Sequence, residues 1–192
     1  MNEFRHDERI LLWDLYNEPG NGKSGDHITK TGLRGAASMP LLKKVFQWAR
    51  EAGPEQPLTA GIWNVSEDFD DLNRFMAERS DVLSFHCYSK PELMSERIDL
   101  LRLIANGKPL LCSEYMARPV GCSFADCLPI LKENNVIAIN WGLVEGKTNT
   151  IYPWEWDESK GIPDPFFHDV FHKNGTFLYP EEEDVFRKIR EE

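Results

Sequence analysis

Ile10-Leu11-Leu12-Trp13-Asp14-Leu15-Tyr16-Asn17-Glu18-Pro19 is the stretch whose reading decides the fold. Three apolar residues follow the charged run His6 to Arg9, the pattern of a strand covered on both faces. Pro19 has no N–H for a ladder, and Gly20, Asn21 and Gly22 come next, so the strand must stop there. Glu18 is therefore expected at the C-terminal end of a strand, on the rim of a sheet. Set between aromatics, an amide and a proline, it reads either as an acid tuned by its surroundings or as a plain turn cap. A second carboxylate at another strand end separates the two readings.

Working outward, Gly20 to Gly35 is a polar, glycine-bearing loop, longer than most connections and so a candidate for function. Ser38 caps a helix over Leu41 to Ala52, whose apolar face is Leu41, Leu42, Val45, Phe46, Trp48 and Ala49. Then come a strand over Pro57 to Trp63, a helix over Glu67 to Arg79, a strand over Asp81 to Tyr88 and a helix over Leu93 to Asn106. Pro109 to Glu114 reads as the fourth strand, Phe124 to Asn134 as a helix and Val136 to Leu143 as the fifth strand. A short helical turn is expected over 164–173 and an amphipathic helix over Glu181 to Glu192. Buried strands alternating with helices make repeated βα units and a parallel sheet, in a single domain over residues 1–192.

Composition narrows the function classes. The formal net charge of −10 argues against a nucleic-acid or anionic-membrane surface. No apolar run reaches the ~20 residues of a membrane span, and the first residues lack the apolar segment of a signal peptide, so a cytoplasmic protein is the default expectation. Cys87, Cys112, Cys122 and Cys127 include no C-x-x-C pair, so no metal site and no cofactor is expected. Cys112 reads as a core residue, whereas Cys122 and Cys127 bracket a helix start as thiols or as a disulfide. No glycine-rich phosphate loop follows any expected strand, which disfavours a nucleotide-binding doubly wound protein.

Parallel α/β sheets carry their chemistry at the carboxyl ends of the strands. Those ends hold Asn17 and Glu18, Trp63 and Asn64, His86 and Tyr88, Glu114 and Tyr115, and Trp141. Glu18 and Glu114 are two carboxylates at two strand ends, which suits glycoside hydrolysis. One carboxyl group must be a protonated acid for the leaving oxygen, and the other an ionised nucleophile or base. Burial and mutual repulsion push two such pKa values apart. Tyr88 is placed to donate a hydrogen bond to an ionised Glu114, Asn17 to bond a sugar hydroxyl, and Trp63 and Trp141 to stack on sugar rings. His86, Trp63 and Trp141 also suit ordinary core positions.

Leu15-Tyr16-Asn17-Glu18-Pro19 resembles the Asn-Glu-Pro signature closing the fourth strand of retaining glycoside hydrolases of the cellulase and β-mannanase clan. Ser84-Phe85-His86-Cys87-Tyr88 resembles that clan's His-x-Tyr at strand six. Leu110-Leu111-Cys112-Ser113-Glu114 is similar to its strand-seven end, and Ile139-Asn140-Trp141-Gly142 to its strand-eight tryptophan. The resemblance implies a TIM barrel, with Glu18 as acid/base, Glu114 as nucleophile, Asn17 against the sugar's 2-hydroxyl and His86 and Tyr88 supporting the site. It implies an oligo- or polysaccharide as the partner.

The clan's barrel has about 250 residues, roughly 30 per βα unit, so about 90 should precede an Asn-Glu-Pro strand. Nine residues precede Ile10. The expected fold is therefore α/β, a partial (β/α)8 TIM barrel of five parallel βα units matching strands four to eight, or alternatively a rearranged open doubly wound sheet. Open edges and an uncovered inner face call for a homo-oligomer, most simply a dimer, or for a complementing barrel fragment. Two functions stay open: a retaining β-glycosidase of weak activity, or an inactive barrel remnant serving as an oligomeric scaffold or weak carbohydrate binder.

Overall fold

The structure, a computed structural model, describes residues 1–21 and 36–191. Among them run, in chain order, β1 (Trp13–Asp14), α1 (Met39–Ala52), β2 (Leu58–Thr59), α2 (Asp70–Arg79), β3 (Leu83–Cys87), α3 (Pro91–Ala105), β4 (Leu110–Tyr115), α4 (Phe124–Glu133), β5 (Val136–Ala138) and α5 (Pro180–Glu191). Strand and helix alternate as the sequence pattern requires. The chain forms two compact units, one of Met1–His86 with Asp99–Leu111, the other of Cys87–Ile98 with Cys112–Glu192.

In the first unit β1 pairs in parallel with β2, Trp13 opposite Leu58 and Asp14 opposite Thr59. The ladder runs on through Leu15 N–H to the Thr59 carbonyl (2.9 Å) and Gly61 N–H to the Tyr16 carbonyl (3.2 Å). Ile62 makes a parallel bridge to Phe85 of β3, and Leu83 N–H donates to the Pro109 carbonyl just before β4 (2.9 Å). Successive strands are thus neighbours. Amphipathic helices supply the cover: α1 buries Leu42, Phe46 and Ala49, and α2 buries Leu72 and Met76 one turn apart. Each of the larger of these, Leu42, Phe46, Leu72 and Met76, is worth roughly 1.5–3 kcal/mol when fully buried. The buried Thr59 and Ser84 satisfy each other, hydroxyl to hydroxyl at 2.8 Å, with the Ser84 N–H on Thr59 Oγ1 at 3.1 Å.

In the second unit β5 lies beside β4, with Ile139 N–H on the Cys112 carbonyl (2.8 Å). Ser123 caps α4 by accepting the Asp126 N–H at 3.2 Å. Phe124 meets Tyr115 edge-on at 5.9 Å and Phe186 of α5 at 4.8 Å, which seats both helices on one core. Arg118 fastens the far end: its guanidinium binds Glu182 of α5 through two nitrogens (2.7 and 2.8 Å) and donates to the Phe166 and Asp169 carbonyls, both at 2.8 Å.

Three expectations for local structure are corrected. Ile10 to Leu12 is not a covered strand: Ile10 N–H closes a turn onto the Asp7 carbonyl (3.1 Å) and Leu11 is 69% exposed. Pairing begins only at Trp13, and among the described residues β2 is the strand that covers β1. The fifth strand ends at Ala138 rather than Leu143. The Asn140 side chain bonds the Gly142 carbonyl, and Gly142 turns at φ +87° where an added Cβ would lie 2.8 Å from His168 Cβ. Residues 164–173 form no helical turn. Pro163 and Pro165 lack donors, and the Val170 and Phe171 N–H groups both donate to the Leu143 carbonyl, so the chain bends over 164–168 and then bridges Val144 in parallel at Phe171. Most of the loop expected over Gly20 to Gly35 lies outside the described residues.

Candidate active-site carboxylates

Glu18 stands in the turn that follows β1, with φ +48°, the left-handed region that a glutamate adopts only when its surroundings hold it there. The turn is closed by Asn21 N–H on the Glu18 carbonyl at 2.9 Å. Behind it Trp63 donates its indole N–H to the Pro19 carbonyl (3.1 Å) and packs edge-on against Phe69 at 5.3 Å. Trp63 is therefore fixed at both ends and braces the turn. Asn17, beside it, is exposed.

The carboxylate of Glu18 meets His86 of β3, whose ring is buried, at 2.7 Å between Oε1 and Nδ1. An ionised carboxylate only accepts, so Nδ1 carries the proton. The Asn21 side-chain amide donates to the other oxygen, Oε2. Burial pushes this carboxyl group up, but the two hydrogen bonds and the His86 charge outweigh it and hold Glu18 below its ordinary value. The His86 ring has little freedom to leave. Gly61 lies against it so closely that an added Cβ would stand 2.7 Å from Nε2.

In the second unit Glu114, on β4, accepts a hydrogen bond from the Tyr88 hydroxyl at 2.9 Å between Oη and Oε2. The Tyr88 ring in turn meets Trp154 edge-on at 5.0 Å and His168 at 5.2 Å, and Trp154 packs on Phe167 at 4.7 Å. His168 is buried and binds the Met116 carbonyl through Nδ1 at 2.7 Å. Burial lowers its pKa, which keeps the ring neutral at pH 7 with that proton on Nδ1. Met116 follows the carboxylate strand closely and has φ +73°. Trp141, expected at a strand end, lies instead in the bend after β5 and is 49% exposed.

Sequence reasoning singled out the seven residues Asn17, Glu18, Trp63, His86, Tyr88, Glu114 and Trp141. It missed Gly61, Trp154 and His168, which hold two of them in place. Gly61 carried a signal, a glycine inside an expected strand, which marks a close approach by another group. Trp154 and His168 lie in loops with no periodicity to read.

No family model matches the chain, and no curated protein sequence does. Solved structures do. The chain is similar to a β-glucuronidase from Faecalibacterium prausnitzii at 13% identity with a TM-score of 0.60, over 98% of this chain and 33% of that one. It is similar to a β-glucuronidase from Ruminococcus gnavus in complex with D-glucuronic acid at 14% identity and 0.55, over 95% and 33%. A third, a mutant in complex with xylotriose, matches at 11% identity and 0.57, over 98% of this chain and 64% of that one. The chain thus spans a third of the two glucuronidases and less than two thirds of the third protein. At these identities the likeness bears on the fold, which is α/β with parallel strands in short sheets, as in part of a (β/α)8 TIM barrel.

Proposed function

We propose that this chain is a glycoside-hydrolase-like protein that acts on β-linked glycans by the retaining mechanism, with Glu114 as nucleophile and Glu18 as acid/base. One observation carries the reading. Each glutamate, at or just beyond the C-terminal end of a strand, has its carboxylate held by one side chain, Glu18 by His86 and Glu114 by Tyr88. A carboxylate that accepts a phenolic O–H is held in one orientation, which is what a nucleophile needs before it attacks the anomeric carbon. Glu18, held below its ordinary pKa, is a base as it stands and activates water in the second step. Serving as the acid in the first step requires it to take up a proton. A bound sugar that excludes water strengthens the burial contribution, which already pushes that way.

The lowered Glu18 also favours a second reading, a weak carbohydrate binder with no turnover. In both readings the isolated chain is a poor catalyst. The test is nitrophenol release from aryl β-glycosides by the wild type, Glu114→Ala and Glu18→Ala. Hydrolysis predicts slow turnover that Glu114→Ala abolishes and that Glu18→Ala reduces ~10²–10⁴-fold in the step needing acid or base. Equal background rates in all three would leave only the binding reading.

The same proposal includes a homo-oligomer, most simply a dimer, or association with a complementing barrel fragment. Ile137 and Ile139 are exposed at alternate positions on and just beyond β5, and Leu11 is exposed ahead of β1. Alternating exposed apolar residues on an edge strand call for cover.

A further inference from the structure

Helix α4 begins with an unusual pair. Ser123 is its N-cap, so Cys122 occupies the position before the cap and Cys127 the fourth position of the helix. Those two positions carry the hydrophobic staple in many helices, where side chains meet across the first turn and set the angle at which the chain enters. The local chemistry holds them in that register. The Ser123 hydroxyl accepts the Asp126 N–H and also contacts the Asp126 carboxylate at 2.6 Å. Cys122 is tied on its other side to Ala117, whose N–H donates to the Cys122 carbonyl at 2.9 Å.

Both thiols are fully buried, and their sulfurs lie 3.0 Å apart. The staple geometry has brought together two nucleophilic atoms where two apolar side chains would ordinarily pack. Cys122 Sγ also lies 3.8 Å from the Cys87 carbonyl oxygen, a longer contact than that with Cys127. Taking a hydrogen bond from Cys127, the Cys122 thiol falls below its ordinary pKa, and Cys127 is pushed up in exchange.

We propose that Cys122 and Cys127 form a disulfide, a covalent staple across the first turn of α4. With a low-molecular-weight disulfide as oxidant, the thiolate of one cysteine attacks one of its sulfurs and releases one thiol. The other cysteine then attacks the mixed disulfide and releases the second. The protein loses two protons and two electrons, and the oxidant takes them up to become two thiols. Because both sulfurs are buried, the bond forms during folding or when the start of α4 opens. Once made, it ties α4 to the Ala117–Cys122 turn, which carries Arg118 and its bonds to Glu182, Phe166 and Asp169.

The test is to refold the full chain with oxidised glutathione and, in parallel, with a reducing thiol, then digest without reduction using chymotrypsin. Cleavage after Phe124 separates Cys122 from Cys127, so their disulfide appears as two linked peptides that part on reduction. The expected result is that linked pair, a mass about 2 Da below the reduced chain, and a free-thiol count that falls from four to two. The link should persist in Cys87→Ser and Cys112→Ser and vanish in Cys122→Ser and Cys127→Ser. Should any variant fail to fold, the wild-type peptide map decides alone. Four free thiols after oxidative refolding, or a link from Cys122 or Cys127 to Cys87 or Cys112, would overturn the proposal.

Discussion

Glu18 is the residue at which local chemistry and function pull against each other. Burial favours its neutral form, while His86 and Asn21 favour the charged form and win. A carboxyl group depressed in the folded state adds stability above its unfolded value, here near 4.5, and loses it as pH falls through the folded value. The stability difference between wild type and Glu18→Gln should therefore shrink as pH drops below about 4.5, as read by urea unfolding at a series of pH values. Replacing His86 by Phe removes the stronger donor and leaves burial less opposed. NMR titration of Glu18 should then give a midpoint higher than in the wild type; an unchanged midpoint would mean that His86 does not hold the charge. Gly61 tests the same pair from behind. A methyl group there would meet the His86 ring, so Gly61→Ala should cost ~1–3 kcal/mol in denaturant unfolding, the usual penalty for overpacking.

At the scale of elements, a buried ion pair ties down the last helix. Arg118 and Glu182 are only 8% and 10% exposed at their side chains, and the guanidinium also stacks over the Tyr179 ring with its carbon 4.5 Å from the ring centre. Removing one partner strands the other in a dry site. Arg118→Ala should destabilise the chain by ~3–5 kcal/mol, and the double variant Arg118→Met with Glu182→Leu by markedly less, because it buries no lone charge. The cap of α4 is a smaller device: Ser123→Ala should cost ~0.5–2 kcal/mol by loss of the bond to Asp126 N–H. Thermal unfolding of the three variants against wild type checks both values.

At the scale of the molecule, the two compact units each carry one of the glutamates with its own hydrogen-bonding partner. No helix among the described residues is long and apolar enough to cross a membrane. The exposed row on and beyond β5 bears on self-association. Light scattering at micromolar concentration should report a dimer or larger species, and Ile137→Lys with Ile139→Lys should shift it toward monomer by charging the row. A wild-type monomer would remove the oligomer from the proposal.

The sequence by itself determined the element order and the fold class. Alternating apolar strands and amphipathic helices with Gly or Pro stops are local signals: α4 starts at Phe124 and α1 stops at Ala52 as expected, whereas α2 starts at Asp70, three residues later than expected, after a 3-10 turn over Glu67–Phe69. It also drew attention to Glu18 and Glu114, because strand ends are where parallel sheets expose their polar groups. Only the tertiary structure decided how much of each apolar run is covered. Leu11 looks like core and is exposed, since burial depends on which strand lies alongside and not on the residue's own character. Only tertiary structure, again, set the charge of Glu18 and brought Gly61 against His86, Trp154 against Tyr88 and Cys122 against Cys127. The first three of these depend on groups drawn from distant parts of the chain, and no spacing along the sequence encodes them. The cysteine pair is the exception in sequence distance, five residues apart, yet it needed the helix to start at Phe124 before its two sulfurs could meet.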